Sequence, residues 1–212
     1  MSSPILIINP NSSGEVTDGI RDAVAALGSH FEVVDIPQNP ATIASDEDVA
    51  RAGLEVLATA RARPDASAYI TACFSDPGLD LLRAEGVKIA IGCQEAGILT
   101  AFARADRFGI IALSERSIPR HLRKMRQMGV SERLAGELAL PGVSAAASGR
   151  DEAVYVLVRE KAEELGRMGA GAIVLGCAGM APIRARLERD TGLAVIDPVM
   201  AAASIALGAV LG

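Results

Sequence analysis

The chain contains no tryptophan, and aromatic residues make up only 3% of it. Base-stacking nucleic-acid surfaces set aromatic faces among basic side chains. Here the net charge is −5, and the densest basic stretch (Arg116, Arg120, Arg123, Lys124, Arg126) holds no aromatic residue. Its spacing reads as the solvated face of a helix, which argues against a nucleic-acid partner. Histidine is also scarce: His30 and His121 both lie far along the chain from the cysteines at 73 and 177. No two of the three cysteines have CxxC spacing, so no metal site is expected. Neither a Walker A sequence nor GxGxxG occurs, which removes the two commonest nucleotide loops. No apolar run reaches the roughly 18 residues of a membrane span. Met1-Ser2-Ser3-Pro4 runs straight into a strand-like segment, without the basic and apolar parts of a signal peptide. The expectation is a cytoplasmic protein with reduced thiols and no membrane contact.

Half of the residues are hydrophobic, ample for a core, and strand-like runs alternate with helix-like runs throughout. In the first half, strands are expected at 5–8, 31–36, 68–72 and 87–91, and helices at 13–27 and 46–61. In the second half, helices are expected at 94–104, 117–128, 150–168, 183–191 and from Pro198 onward. Strands are expected there at 108–113, 172–175 and 194–196, with a weaker strand or loop near 138–143. Continuous apolar strands between helices imply parallel sheets covered on both faces, an α/β fold. Ligands of such sheets bind beyond the carboxyl ends of the strands.

Two cysteines sit at matching places in this pattern. Cys73 ends the run Ala68-Tyr69-Ile70-Thr71-Ala72, and Cys177 ends Ala172-Ile173-Val174-Leu175-Gly176, 104 residues later. The same offset lays Ile5-Leu6-Ile7-Ile8 on Gly109-Ile110-Ile111-Ala112, as an internal duplication would. Cys93, in Ile91-Gly92-Cys93-Gln94-Glu95, has no cysteine counterpart in the other half, where it is aligned with Val195, and reads as structural.

Breaking a carbon–hydrogen bond beside a carbonyl needs a base on one face. Inverting the centre also needs an acid on the other face and donors for the enolate oxygen. A thiol suits both roles, because its ordinary pKa is near ~8.5 and neighbours shift it. Cys73 and Cys177 are therefore candidates for a two-base pair. Asn11, Ser12 and Ser13, between the first strand and a helix, offer donors for a polar substrate rim or simply cap the helix. Asp76 either tunes the Cys73 thiol or caps the Pro77-Gly78 turn, and Glu95 either orients a polar group or complements a helix dipole.

The blocks Ile8-Asn9-Pro10-Asn11-Ser12-Ser13, Ala72-Cys73-Phe74-Ser75-Asp76-Pro77-Gly78-Leu79 and Leu175-Gly176-Cys177-Ala178-Gly179-Met180 together resemble the hydantoin racemase branch of the aspartate/glutamate racemase superfamily. The resemblance spans essentially the whole chain. It implies two similar α/β lobes, each with a parallel four-stranded sheet flanked by helices, related by a pseudo-twofold axis. The lobes would comprise 1–95, completed by 198–212, and 96–197. It also implies proton transfer without cofactor or metal, with Cys73 and Cys177 as the two bases. Asn11, Ser12, Ser13, Phe74, Ser75, Ala178 and Gly179 would hold the substrate. Relatives often present a threonine-containing turn after the fifth strand, and Ser114 would substitute for it here. The implied reaction is racemisation of 5-substituted hydantoins. Alternatives are allantoin or amino-acid racemisation, decarboxylation, or maleate-type isomerisation on the same scaffold. The partner is a small molecule, and Ala- and Leu-rich helices suggest a homo-oligomer.

Overall fold

The computed structural model describes residues 3–212; Met1 and Ser2 of the N-terminal reading above lie outside them. The first half runs β1 (Ile5–Asn9), α1 (Gly14–Val24), β2 (Phe31–Asp35), α2 (Asp46–Arg61), β3 (Ala68–Thr71), α3 (Leu79–Ala84), β4 (Ala90–Gly92) and α4 (Cys93–Phe102). The second runs β5 (Phe108–Ala112), α5 (Ile118–Met128), β6 (Leu134–Ala139), α6 (Glu152–Arg167), β7 (Ala172–Gly176), α7 (Arg184–Thr191), β8 (Ala194–Ile196) and α8 (Pro198–Leu211). The strands form two four-stranded parallel sheets, β2-β1-β3-β4 and β6-β5-β7-β8, the same order twice.

Alternation along each central strand divides the core. Ile5, Ile7 and Ile70 share one apolar cluster with Phe108, Ile110 and Val174, so the two sheets turn these faces toward a common interior. Leu6 and Ile8 face away, onto Leu79 and Leu82. Ile111, Ile173 and Leu175 face away onto Tyr155, Val158 and Leu165 of α6 and its neighbours. The common interior is filled by α4 and α8, the last helix of each half, which pack on each other. Each also reaches the opposite half: α4 lies on β7, and α8 on β3 and β4. Small residues permit this closeness. A Cβ on Gly97 of α4 would stand 3.2 Å from Pro198 Cβ and 3.0 Å from Val174 Cγ1.

Several boundaries differ from the sequence reading. Helix α3 was not anticipated, because a six-residue turn of helix is too short to show a period. Strand β6 begins earlier than 138, directly after a turn at Ser131–Arg133. It is half-buried along its whole length, so it lacks the apolar run that marks the inner strands. The duplication offset is also not uniform. It is 104 from Ala68 to Ala172, but pairing with the neighbouring strands sets Ile5 opposite Ala68 and Phe108 opposite Ala172, an offset of 103, and sets Ala90 opposite Tyr69 and Val195 opposite Ile173, an offset of 105. The one-residue slip matters, because it decides which side chains face the interior. With 105 holding at β4 and β8, Cys93 corresponds to Pro198 and not to Val195, in line with Gly92 and Asp197 as the N-caps of α4 and α8. Each stands where its strand gives way to the packed helix pair.

Among the described residues, no helix is long and apolar enough to cross a membrane.

Candidate active site

The carboxyl ends of β1, β3, β5 and β7 converge on one cavity of about 180 Å³. Cys73 and Cys177 both line it and both are half-buried. Asn11, Phe74, Ser75, Ser114 and Ala178 line it as well. Ser12, Ser13 and Gly179 lie outside the lining. Ser13 is engaged as the N-cap of α1, where its hydroxyl accepts from the Val16 N–H. The Ser12 N–H bonds to Pro40 O at 3.3 Å. Gly179 acts from behind, through its N–H to Cys177 Sγ at 3.4 Å.

Asn11 is presented by a buried side-chain network. Its Oδ1 accepts from Asn9 Nδ2 at 3.0 Å and from the Ser13 N–H at 2.8 Å. That leaves the Asn11 amide hydrogens, at the cavity wall, with no acceptor among the described residues. They are fit to meet a substrate carbonyl. Over the cavity, residues 42–44 of the first half meet residues 142–145 of the second, tied by the Ala145 N–H to Thr42 Oγ1 at 3.3 Å.

Burial governs both thiols. It pushes Cys73 up to about 12, against the pull of the Ser75 N–H and the positive charge of Arg120; Cys177 and Asp76 push the same way as burial. Cys177 is also raised by burial, and the Gly179 N–H and Ser148 hydroxyl oppose this. Burial thus favours the protonated form of both thiols, and each has a local donor ready for the thiolate.

Asp76 caps a helix farther along the chain than the Pro77-Gly78 turn, and its charge raises the neighbouring Cys73 thiol. Its carboxylate caps α4, accepting from the N–H groups of Gln94 at 2.7 Å and Glu95 at 3.2 Å. The cap spans 18 residues of sequence, and Asp76 adopts φ 46 to make it. Gly92 clears the space: a Cβ there would lie 2.3 Å from the Asp76 carboxyl carbon. Glu95 stands away from the cavity and joins Arg83 and Lys124, at 2.6 Å each.

The sequence reading missed three side chains of this region: Arg120, His121 and Glu137. Arg120, assigned above to a solvated helix face, has only 12% of its side chain exposed and lines the cavity. Its Nε donates to Ser75 Oγ at 2.9 Å, and it pairs with Asp46 across the two halves. His121 is 2% exposed, also lines the cavity, and holds Glu137 of β6 through Nδ1 at 2.6 Å. One signal was available, because Ser117, His121 and Met125 form a buried i, i+4, i+8 stripe. Glu137, on a strand with no clear alternation, gave none.

The duplicated sheets and the cavity where their strand ends meet define a two-halved α/β enzyme. Residues 5–206 match the model of the Asp/Glu/Hydantoin racemase family, and the chain belongs to that family, a class of racemases. It is 36% identical to a hydantoin racemase of Paenarthrobacter aurescens, over 95% of this chain and 89% of that one. Identity to a hydantoin racemase of Rhizobium meliloti is 34%, over 95% and 86%. The fold superposes on an allantoin racemase from Klebsiella pneumoniae with TM-score 0.88 and 30% identity, covering 99% of this chain and 88% of that one.

Proposed function

We propose that the protein racemises 5-substituted hydantoins without a cofactor, by proton transfer between Cys73 and Cys177. The observation carrying this reading is that both thiols, from equivalent strand ends of the two halves, line one cavity. The likeness to two hydantoin racemases supports the substrate class.

In the forward direction one cysteine, as thiolate, takes the proton from ring carbon 5. The electron pair of that bond moves into the adjacent carbonyl to give an enolate. The other cysteine, as thiol, delivers its proton to the opposite face, and the pair returns to form the new carbon–hydrogen bond. The enzyme is left with the two protonation states exchanged, ready for the reverse reaction. A hydantoin suits bases of this strength, since its C5 proton is flanked by a carbonyl and a nitrogen. Asn11, Ser75 and Ser114 supply the polar wall for the ring carbonyls and N–H groups, while Val16, Leu113 and Val143 exclude water and strengthen those bonds.

The test follows one enantiomer of 5-benzylhydantoin, 5-isopropylhydantoin or allantoin in D2O without added metal, by chiral chromatography and mass spectrometry. Decay to the racemate with one deuterium entering carbon 5 is expected. Carbon dioxide release, or retention of both optical activity and hydrogen, would overturn the reading.

A further inference from the structure

We propose that His121 and Arg120 form the specificity-determining corner of the cavity and receive a neutral carboxamide-type side arm on the substrate. The inference rests on the hydantoin reading and names the arm that reading leaves open. His121 is nearly fully buried and lines the cavity, yet only one of its ring nitrogens is committed. Nδ1 meets Glu137 Oε1 at 2.6 Å, whereas Nε2 has only Ser75 Oγ, at 3.5 Å, beyond normal hydrogen-bond length. Ser75 Oγ accepts from Arg120 Nε at 2.9 Å, and its own hydrogen is too far from Nε2 for a bond of normal length. The Phe74 ring stands edge-on to the imidazole at 5.0 Å and fixes its plane. Arg120 spends Nε on Ser75 and Nη1 on Asp46, and its Nη2 makes no hydrogen bond among the described residues.

A buried His–Glu pair is a poor means of stabilising a fold, since apolar residues of like size usually serve as well or better. Its place at the wall of a substrate cavity calls for a ligand partner. The charges say which kind. Arg120 faces Asp46, His121 faces Glu137, and Lys124 on the next turn faces Glu95. Asp46 is shared by Arg120 and Arg123 and Glu95 by Lys124 and Arg83, while Glu137 lies buried behind His121, so a carboxylate arm would bring a further anion beside a buried carboxylate. An aliphatic arm would leave Nε2 and Nη2 unpaired. A carboxamide satisfies both: its carbonyl accepts from Arg120 Nη2, and its N–H meets the imidazole Nε2, whose partner nitrogen is held by Glu137.

Three near-isosteric hydantoins separate the cases: those carrying 2-amino-2-oxoethyl, carboxymethyl or isobutyl at carbon 5. For the wild-type protein, kcat/KM for the amide should exceed that of both others by about tenfold or more. The double variant His121→Leu with Glu137→Leu removes both partners and leaves no orphaned charge. It should lower the amide-to-isobutyl ratio by at least about tenfold, through KM as well as kcat. In wild-type protein labelled with 15N-histidine, the His121 Nε2 resonance should move with the amide ligand and much less with the isobutyl one, with His30 as internal reference. Preference for the isobutyl arm, an unchanged ratio in the variant, or a silent Nε2 resonance would overturn the proposal and leave the hydantoin reading standing. Failure of all three compounds to bind or to exchange their C5 proton would remove both.

Discussion

The two cysteines occupy equivalent strand ends, but the structure supports them by different means. Around Cys177 the support is mostly backbone at close quarters. A Cβ on Gly179 would lie 2.1 Å from Ala145 O, and one on Gly149 would lie 2.0 Å from Gly179 O. These glycines let the loop after β7 fold tightly enough for the Gly179 N–H to reach the sulfur. Around Cys73 the support is side chains at long sequence distance: Ser75 held by Arg120, Asp76 capping α4, and His121 beside them on Glu137. A duplicated scaffold can thus keep one thiol by steric closeness and surround the other with charge. The close backbone packing lies at the Cys177 end of the site and the charged side chains at the Cys73 end.

Removing a thiol gives the largest effect expected. Under the proposed two-base mechanism, Cys73→Ser and Cys177→Ser should each lower racemisation by more than about 10³-fold, because each would take away one of the two proton carriers. Deuterium exchange without inversion should survive in each variant, for the one enantiomer whose proton faces the remaining thiol. Full racemisation by either variant, read by chiral chromatography, ends the two-base mechanism.

Gly179→Ala comes next and tests the backbone side of the comparison. The new methyl cannot fit against Ala145 O, so the loop must shift and the N–H leaves Cys177. Activity should fall about 10²-fold, alongside a stability loss of ~1–3 kcal/mol. An alanine variant with normal kcat would show that the Gly179 N–H is dispensable.

On the side-chain side, Asp76→Ala strips the buried cap from two N–H groups of α4. Denaturant titration should show ~1–3 kcal/mol lost. Because Asp76 raises the Cys73 thiol, its removal should leave that thiol slightly easier to ionise. Slower alkylation of Cys73 in this variant would contradict the assignment.

The pH profile follows from the raised thiols. Burial holds Cys73 up at about 12 and raises Cys177, so thiolate is the minor form near neutrality and grows with pH. From about pH 7 to 9, log kcat/KM should climb with slope near +1. A flat profile over that interval would mean that a thiolate is already present in the free enzyme.

The smallest effect is at Cys93, fully buried where α4 begins. Cys93→Ser should cost ~1–2 kcal/mol in stability and keep most of the activity. Loss of activity in a folded variant would place Cys93 in the chemistry.

Much of this architecture was legible before any coordinates. The α/β alternation, the inner strands and helices such as α2 follow from short-range pattern: runs of Ile and Val, a Ser45 capping box, a Pro at the start of α8. Both cysteines were legible too, since the residues around each strand end spell the same apolar run followed by a turn. The 103-residue offset of β1 and β5 was not. Two apolar runs slide over one another without changing composition, and only the ladder to the neighbouring strand fixes which residue faces in.

The sequence by itself determined which elements form and which two residues carry thiols to the sheet ends, because both depend on neighbours along the chain. Only the tertiary structure decided what surrounds those thiols. Arg120 reaches Ser75 from 45 residues away, Glu137 meets His121 from another strand, and Asp76 caps a helix 18 residues on. None of these pairings has a local signature. Each arises because packing the two sheets around α4 and α8 brings distant polar groups into one water-poor space, where they must find partners in each other or in the substrate.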